Sequence, residues 1–309
     1  MLPPGGRQPT FLRDVFYEGQ KPPPSIQENI MNRRTFLRNS AGAAALGLSL
    51  SKLQAMALAA TDKKIPIGVQ LYSVRDAAAK DLAKVLKAIK AMGYDGVEFA
   101  GYYEHAAKDI RKMLDDTGLK CCGTHTGLQA VLGENFDKTV EIHKTLGTRF
   151  IVVPGGIDHY LATIPGNEVT AFLFNEIADK LNKLDMELGY HAHGGDFREL
   201  DGETAWDRFF AKTRQNVFMQ MDIGNCLESG GDPYTPIEKF PNRSKTIHIK
   251  EWSDNGAPVG EGKVDWKRIF ELCETVGGTE WYVVEHEVDS AEDLGGIEAC
   301  IKNLRNMGK

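Results

Sequence analysis

The sequence predicts a single (β/α)8 barrel with a parallel sheet, and three observations predict it. Short apolar runs alternate with stretches of helical period from Lys64 to the end of the 309-residue chain. Eight such units fit the roughly 250 residues that one barrel needs. The last four runs each end in polar side chains of ligand type: Leu188-Gly189-Tyr190-His191-Ala192-His193, Phe218-Met219-Gln220-Met221-Asp222, Thr246-Ile247-His248-Ile249-Lys250-Glu251 and Tyr282-Val283-Val284-Glu285-His286-Glu287. An open doubly wound sheet is the runner-up, but no G-x-G-x-x-G follows any predicted strand.

The elements follow in order. Ile65 to Leu71 reads as the first strand, leading into Tyr72-Ser73-Val74-Arg75. Leu82, Val85, Leu86, Ile89 and Met92 recur with helical spacing, and Gly93 closes that helix. Gly96-Val97-Glu98-Phe99 is the second strand, and a helix through Ile110, Met113 and Leu114 stops at Gly118. Lys120 to His125 is the third strand and Phe150 to Val153 the fourth; the four ligand-bearing segments supply strands five to eight. Gly155-Gly156, Gly194-Gly195 and Gly230-Gly231-Asp232 mark loops after strands four, five and six. The turn-rich segment Asp254 to Gly262 follows strand seven and helps to cover the mouth. No second domain is indicated.

In a parallel barrel the carboxyl ends of all strands open at one mouth, where the active site sits. Two imidazoles and two carboxylates from four consecutive strands therefore converge: His191, Asp222, His248 and Glu285. Such a mixed N/O set suits one divalent ion, with Mn, Co, Zn, Fe and Mg as candidates. His193 shares a face with His191 through the period of two, as Lys250 does with His248 and Glu287 with Glu285. Glu287, His193 and Lys250 are the candidate proton-transfer groups. Glu98 and His125 on strands two and three reach the same mouth and are expected to contact substrate hydroxyls, along with Glu251. Trp252 and Trp281 both offer a stacking face for a sugar, although a large aromatic near a strand more often packs. His105, His143 and His159 are read as surface or helix residues.

The formal charge of -6 argues against a protein that must neutralise a phosphate backbone, so nucleic acid is not an expected partner. The five cysteines are odd in number and form no C-x-x-C pair. They read as small core hydrophobes.

Met31-Asn32-Arg33-Arg34-Thr35-Phe36-Leu37-Arg38 is a twin-arginine pattern, followed by the apolar stretch Ala41 to Leu50 and A-x-A sites at Ala55-Met56-Ala57 and Ala57-Leu58-Ala59. The apolar stretch is short of the about 20 residues of a membrane span. Residues 31–60 are thus expected to be an export signal read by the twin-arginine machinery, residues 1–30 an extension from a mis-called start, and residues 61–309 the barrel. The expected location is the periplasm, with retention at the membrane left open. Homo-oligomerisation is left open too.

Together these residues resemble the xylose isomerase-like barrel superfamily, also described as the sugar phosphate isomerase/epimerase family. The resemblance runs from Gly68-Val69-Gln70-Leu71-Tyr72-Ser73 through Gly93-Tyr94-Asp95-Gly96-Val97-Glu98 and the four ligand-bearing segments, including Asp222-Ile223-Gly224-Asn225. It implies one divalent ion held by Glu, Asp, His and Glu from strands five to eight. Asp222, His248 and Glu285 fall on the last three positions, and His191 stands where the first Glu belongs. That departure removes a carboxylate that doubles as an acid/base group in the sugar epimerases. The implied chemistry is enolisation of a keto-sugar, ending in isomerisation or epimerisation. The alternative is metal-assisted elimination from a 3-keto-glycoside, as in exported relatives. Export points to an unphosphorylated sugar or glycoside. A non-catalytic carbohydrate-binding barrel is a further alternative, and a phosphodiesterase would need more inward histidines and a basic groove.

The leader carries its own prediction. The mature chain should begin near Leu58 or Ala60 and be recovered from the periplasm, which N-terminal sequencing of fractionated cells reads directly. An intact leader on soluble cytoplasmic protein would overturn it.

Overall fold

In the computed structural model, which describes residues 64–287 and 292–309, eight parallel strands form the wall. They are β1 (Ile67–Gln70), β2 (Gly96–Phe99), β3 (Lys120–His125), β4 (Phe150–Val153), β5 (Glu187–His191), β8 (Val217–Gln220), β9 (Thr246–Ile249) and β10 (Trp281–Val284). A small antiparallel hairpin, β6 (Glu199–Leu200) with β7 (Glu203–Thr204), branches off after β5. Helices separate the wall strands, as the (β/α)8 reading requires. The predicted helix stops hold as well: Leu82–Met92 ends at Gly93 and Ala107–Thr117 at Gly118, both with positive φ that a residue without Cβ takes freely. The leader, including Arg33-Arg34 and the apolar run, lies outside the described residues.

The second, third and fourth strands have the bounds read from sequence, whereas the last four stop earlier than their apolar segments suggested. β5 ends at His191, β8 at Gln220, β9 at Ile249 and β10 at Val284. Beyond those points the regular ladders stop, the Asp222–His248 bridge apart, and the chain turns into loops or helix starts.

Side chains alternate across the wall. Ile67, Val69, Val97, Phe99, Ile151, Val153, Leu188 and Tyr190 belong to the large core cluster that the helices cover. A second cluster of Phe150, Val152 and Phe218, with Trp281 packed against it, draws on β4, β8 and β10. Those strands are not neighbours, so their side chains meet only across the barrel interior. The Phe150 and Phe218 rings meet edge-on at 5.3 Å. This plug fills the end of the barrel where the strands start.

One seam in the wall is not a regular ladder. Between β8 and β9 the backbone makes an isolated bridge, Asp222 to His248, with His248 N donating to Met221 O at 2.9 Å. Below it, Met219 N donates to Arg243 O at 2.6 Å. The buried Arg243 side chain ties the seam: its guanidinium donates to Val217 O at 2.9 and 2.7 Å, Phe210 O at 2.8 Å and Thr213 Oγ1 at 2.6 Å. Burial without a carboxylate partner holds the pKa of Arg243 down to about 10, which still leaves it charged at neutral pH.

The plug generates a packing prediction. A Cβ on Gly189 would stand 2.4 Å from two carbons of the Phe218 ring. Gly189→Ala should therefore cost about 1–3 kcal/mol through overpacking, read by urea denaturation. In a Phe218→Leu background the same substitution should cost less. Equal costs in both backgrounds would show that the ring is not what the Cβ meets.

Candidate active site

The mouth is built on the ends of the last four wall strands. His191 closes β5, and His248 lies within β9. Asp222 sits two residues past β8 and caps the helix Ile223–Glu228, with Oδ1 accepting from Asn225 N at 2.7 Å. Glu285 follows β10 directly. One ligand atom from each of the four lies within 4.8 Å of the others, and all four residues are buried. His191 Nδ1, Asp222 Oδ2, His248 Nδ1 and Glu285 Oε2 have no hydrogen-bond partner. Glu285 Oε2 approaches His248 Nδ1 to 2.5 Å without the alignment of a hydrogen bond. An unpaired buried polar atom costs about 1–3 kcal/mol, and more when charged. Two imidazole nitrogens and two carboxylate oxygens with free lone pairs are the donors a divalent ion takes, so these residues fit that group.

The electrostatics point the same way. Burial pushes the His191 pKa well below its ordinary value, helped by the neighbouring His248, His125, His193 and Lys250, so its imidazole is neutral. Burial acts against charge on His248 too, but Glu285 and Glu98 outweigh it and hold that pKa well above the usual range. Two carboxylates facing the cluster demand positive charge, and a proton on His248 supplies it when no cation does. Metal binding at such a site releases that proton.

Beneath the cluster lies a polar floor that the sequence reading missed. Glu98, expected to meet substrate hydroxyls, is fully buried. Its Oε2 accepts from Gln70 Nε2 at 2.7 Å and lies 2.7 Å from His248 Nε2, while its Oε1 accepts from Gln220 Nε2 at 2.8 Å. Both oxygens are occupied by protein, which removes Glu98 from substrate contact. Gln220 Nε2 also donates to Thr246 Oγ1 at 2.8 Å, and its Oε1 pairs with His125 Nε2 at 2.8 Å. His125 is anchored to the floor and stacks on His248 with ring centres 5.3 Å apart; it also stands 4.7 Å from the His191 ring. Gln70 and Gln220 were findable: each is an amide in a strand whose other residues are small or apolar.

Lys250 reaches the rim of the cluster. Its Nζ donates to Asn225 Oδ1 at 2.9 Å and Glu287 Oε2 at 3.0 Å, and stands 3.8 Å from Glu285 Oε1. Burial disfavours the ammonium, but Asp222, Glu285 and Glu287 prevail and raise its pKa, so Lys250 is a cation rather than a base here. For Glu287 burial works toward protonation, yet its contacts with Glu285 and Lys250 lower its pKa. Asn225, part of the Asp222-Ile223-Gly224-Asn225 motif but given no role from the sequence, braces this group by donating from Nδ2 to Ala192 O at 3.1 Å.

His193 stands on the other side of His191, their rings edge-on at 4.8 Å. Its Nδ1 is buried and unpartnered, and one ligand atom each from His193, Asp158 and Asp196 lies within 4.8 Å of the others. Burial lowers the His193 pKa against the pull of Asp158, Asp222 and Glu285, leaving a neutral imidazole. Asp196 accepts from His193 N at 2.8 Å and from the Tyr190 hydroxyl at 3.0 and 3.1 Å; burial raises its pKa to about 7.

Glu251 corrects a second expectation. Pointing away from the cluster, it accepts from Trp252 N and Val264 N at 3.1 Å through Oε1, and from Gly260 N and Trp266 Nε1 at 2.7 Å through Oε2. It pins the 252–266 loop instead of touching substrate. Trp252 is half-buried, with Lys263 Nζ 5.0 Å from its ring centre. Trp281 belongs to the interior plug, packed against Phe150, Val152 and Phe218. His143 lies on the helix Asn135–Leu146 but is buried, held by Thr124 Oγ1 at 2.5 Å and Thr139 O at 2.7 Å.

Comparison with known proteins places this chain among relatives. The chain is 24% identical over 271 residues to the rhizopine catabolism protein MocC of Rhizobium meliloti, covering 73% of this chain and 81% of that protein. It is 25% identical over 240 residues to an inosose dehydratase of Geobacillus thermodenitrificans, covering 64% and 80%. A sugar phosphate isomerase/epimerase crystal structure from Parabacteroides distasonis superposes with a TM-score of 0.67 at 25% identity, covering 78% of this chain and 98% of that one. The model of the family described as xylose isomerase-like TIM barrel matches residues 86–307, from the first wall helices to the last, and the chain belongs to that family.

Proposed function

We propose that the chain is a divalent-metal-dependent enzyme that enolises an unphosphorylated keto-sugar. The observation that carries this reading is the convergence of four unpaired buried donor atoms beside a charged lysine and two candidate proton-transfer side chains. His191, Asp222, His248 and Glu285 would hold the ion, which Mn, Co, Zn, Fe or Mg could supply. Such an ion, when bound, acts as a Lewis acid toward a carbonyl and its neighbouring hydroxyl.

The remaining work falls to the chain's own side chains. A base removes the proton from the carbon beside the carbonyl, and the electron pair moves onto the carbonyl oxygen. Glu287, an ionised carboxylate at the rim, and His193, a neutral imidazole backed by Asp158 and Asp196, are the two groups able to accept that proton. The Lys250 ammonium, held by Asn225 and Glu287, stabilises negative charge developing on a nearby oxygen. His125 on the floor and Trp252 beside the mouth are the remaining candidates for sugar contacts.

Return of the proton to a different carbon completes an isomerisation. Expulsion of a hydroxyl or alkoxide from the adjacent carbon, protonated as it leaves, completes an elimination. The second outcome is favoured by similarity to relatives named inosose dehydratase and by His191 in place of a carboxylate on β5. The twin-arginine leader supports a periplasmic sugar or glycoside as the substrate, because sugar phosphates are chiefly cytoplasmic.

Three outcomes are expected. Asp222→Ala should lose most of its bound metal by elemental analysis of purified protein; wild-type stoichiometry would remove Asp222 from the ligand set. Metal-loaded wild-type protein in D2O should place deuterium beside the carbonyl of keto-sugars or 3-keto-glycosides, read by NMR, and the products separate isomerisation from elimination. Replacing the true base, by Glu287→Gln or His193→Ala, should slow that exchange about a hundred- to ten-thousand-fold with metal content unchanged. Wild-type exchange by both variants would place the base elsewhere.

A further inference from the structure

We infer that Glu98 is a positioning residue that decides which nitrogen of His248 faces the metal site. The inference rests on the metal reading above but concerns a residue outside the ligand set. His248 could present either ring nitrogen to an ion, and the nitrogen that carries hydrogen is excluded. Its Nε2 lies 2.7 Å from Glu98 Oε2, and its Nδ1 faces Glu285 and Asp222.

The surrounding amides fix the direction of that contact. The backbone N–H of Tyr72 can only donate, and it donates to Gln70 Oε1 at 3.1 Å, so the Gln70 amide presents its NH2 to Glu98 Oε2. Gln220 presents its NH2 to Glu98 Oε1. Glu98 therefore acts as acceptor to two amide donors; His125 Nε2, whose hydrogen goes to Gln220 Oε1, stands 3.2 Å from Oε2, and His248 Nε2, at 2.7 Å from Oε2, completes the set by donating. Placing hydrogen on Nε2 leaves the Nδ1 lone pair for the cluster, where Nδ1 has no hydrogen-bond partner. The same carboxylate holds the ring plane, since both Glu98 oxygens are pinned from β1 and β8. Outer carboxylates of this kind orient a ligating imidazole and raise its basicity, and their loss typically costs about 10- to 100-fold in metal affinity.

The test uses the folded mature chain with histidines labelled with 15N, loaded with diamagnetic zinc. In the wild-type protein long-range proton–nitrogen spectra should show His248 with hydrogen on Nε2 and zinc on Nδ1. Glu98→Gln keeps the shape but leaves one acceptor oxygen for three donors. It should weaken zinc binding about 10- to 100-fold in chelator competition, while the metal-free protein melts within a few degrees of wild type. Zinc on Nε2 of His248 in the wild-type protein overturns the inference without needing any variant. Unchanged zinc affinity in Glu98→Gln with a lowered melting temperature overturns it too, because that is what a merely structural role gives. Failure of the wild-type protein to bind zinc, manganese or cobalt would remove the metal reading along with this one.

Discussion

A buried carboxylate persists only where hydrogen-bond donors or positive charge meet its oxygens, and the donor cluster with its floor contains three, Glu98, Asp222 and Glu285, beside the buried Asp196 next to His193. Protein donors meet both oxygens of Glu98. Asp222 Oδ2 and Glu285 Oε2 have no such donor, and the two unpaired imidazole nitrogens face the same space. That contrast separates scaffold from working atoms more sharply than residue type does. The raised His248 and the charged Lys250 are responses to that concentration of negative charge, whereas burial and the neighbouring His248, His125, His193 and Lys250 keep His191 neutral.

The barrel supports the cluster in layers. An aromatic plug closes the end where the strands start, the Gln70–Glu98–Gln220–Thr246 floor lies above it, and the donor atoms lie at the strand ends. Asp222 and His248 also form the backbone bridge at the β8–β9 seam, the place where the ladder is thinnest. Opening that seam would pull two donors apart, so the Arg243 contacts beneath it hold the site as well as the wall.

Neighbouring residues past β9 divide the labour at the rim. Lys250 points to Glu287 and Asn225 beside the cluster, and Glu251, one residue on, points the other way and fastens the 252–266 loop through four N–H donors. A chemical group and the loop beside it are thus set by one dipeptide. The alternation of strand residues continues into the loop far enough to keep the two tasks apart.

Periodicity alone was enough to read the eight-stranded barrel, the bounds of β2, β3 and β4, and the convergence of His191, Asp222, His248 and Glu285. Those features depend on local hydrophobic pattern and on a fold that sends every strand end to one mouth. The roles of Glu98 and Glu251 were misread for a physical reason. A carboxylate near a strand end looks the same whether it meets substrate, an imidazole or, as Glu251 does, three backbone amides and an indole N–H, and only the packed neighbours distinguish these. Gln70 and Gln220 acquire meaning through Glu98, 28 and 122 residues away along the chain. The sequence determined which side chains arrive at the mouth. The tertiary structure decided which of their atoms are already satisfied, because hydrogen-bond satisfaction is a property of the folded neighbourhood and not of the chain.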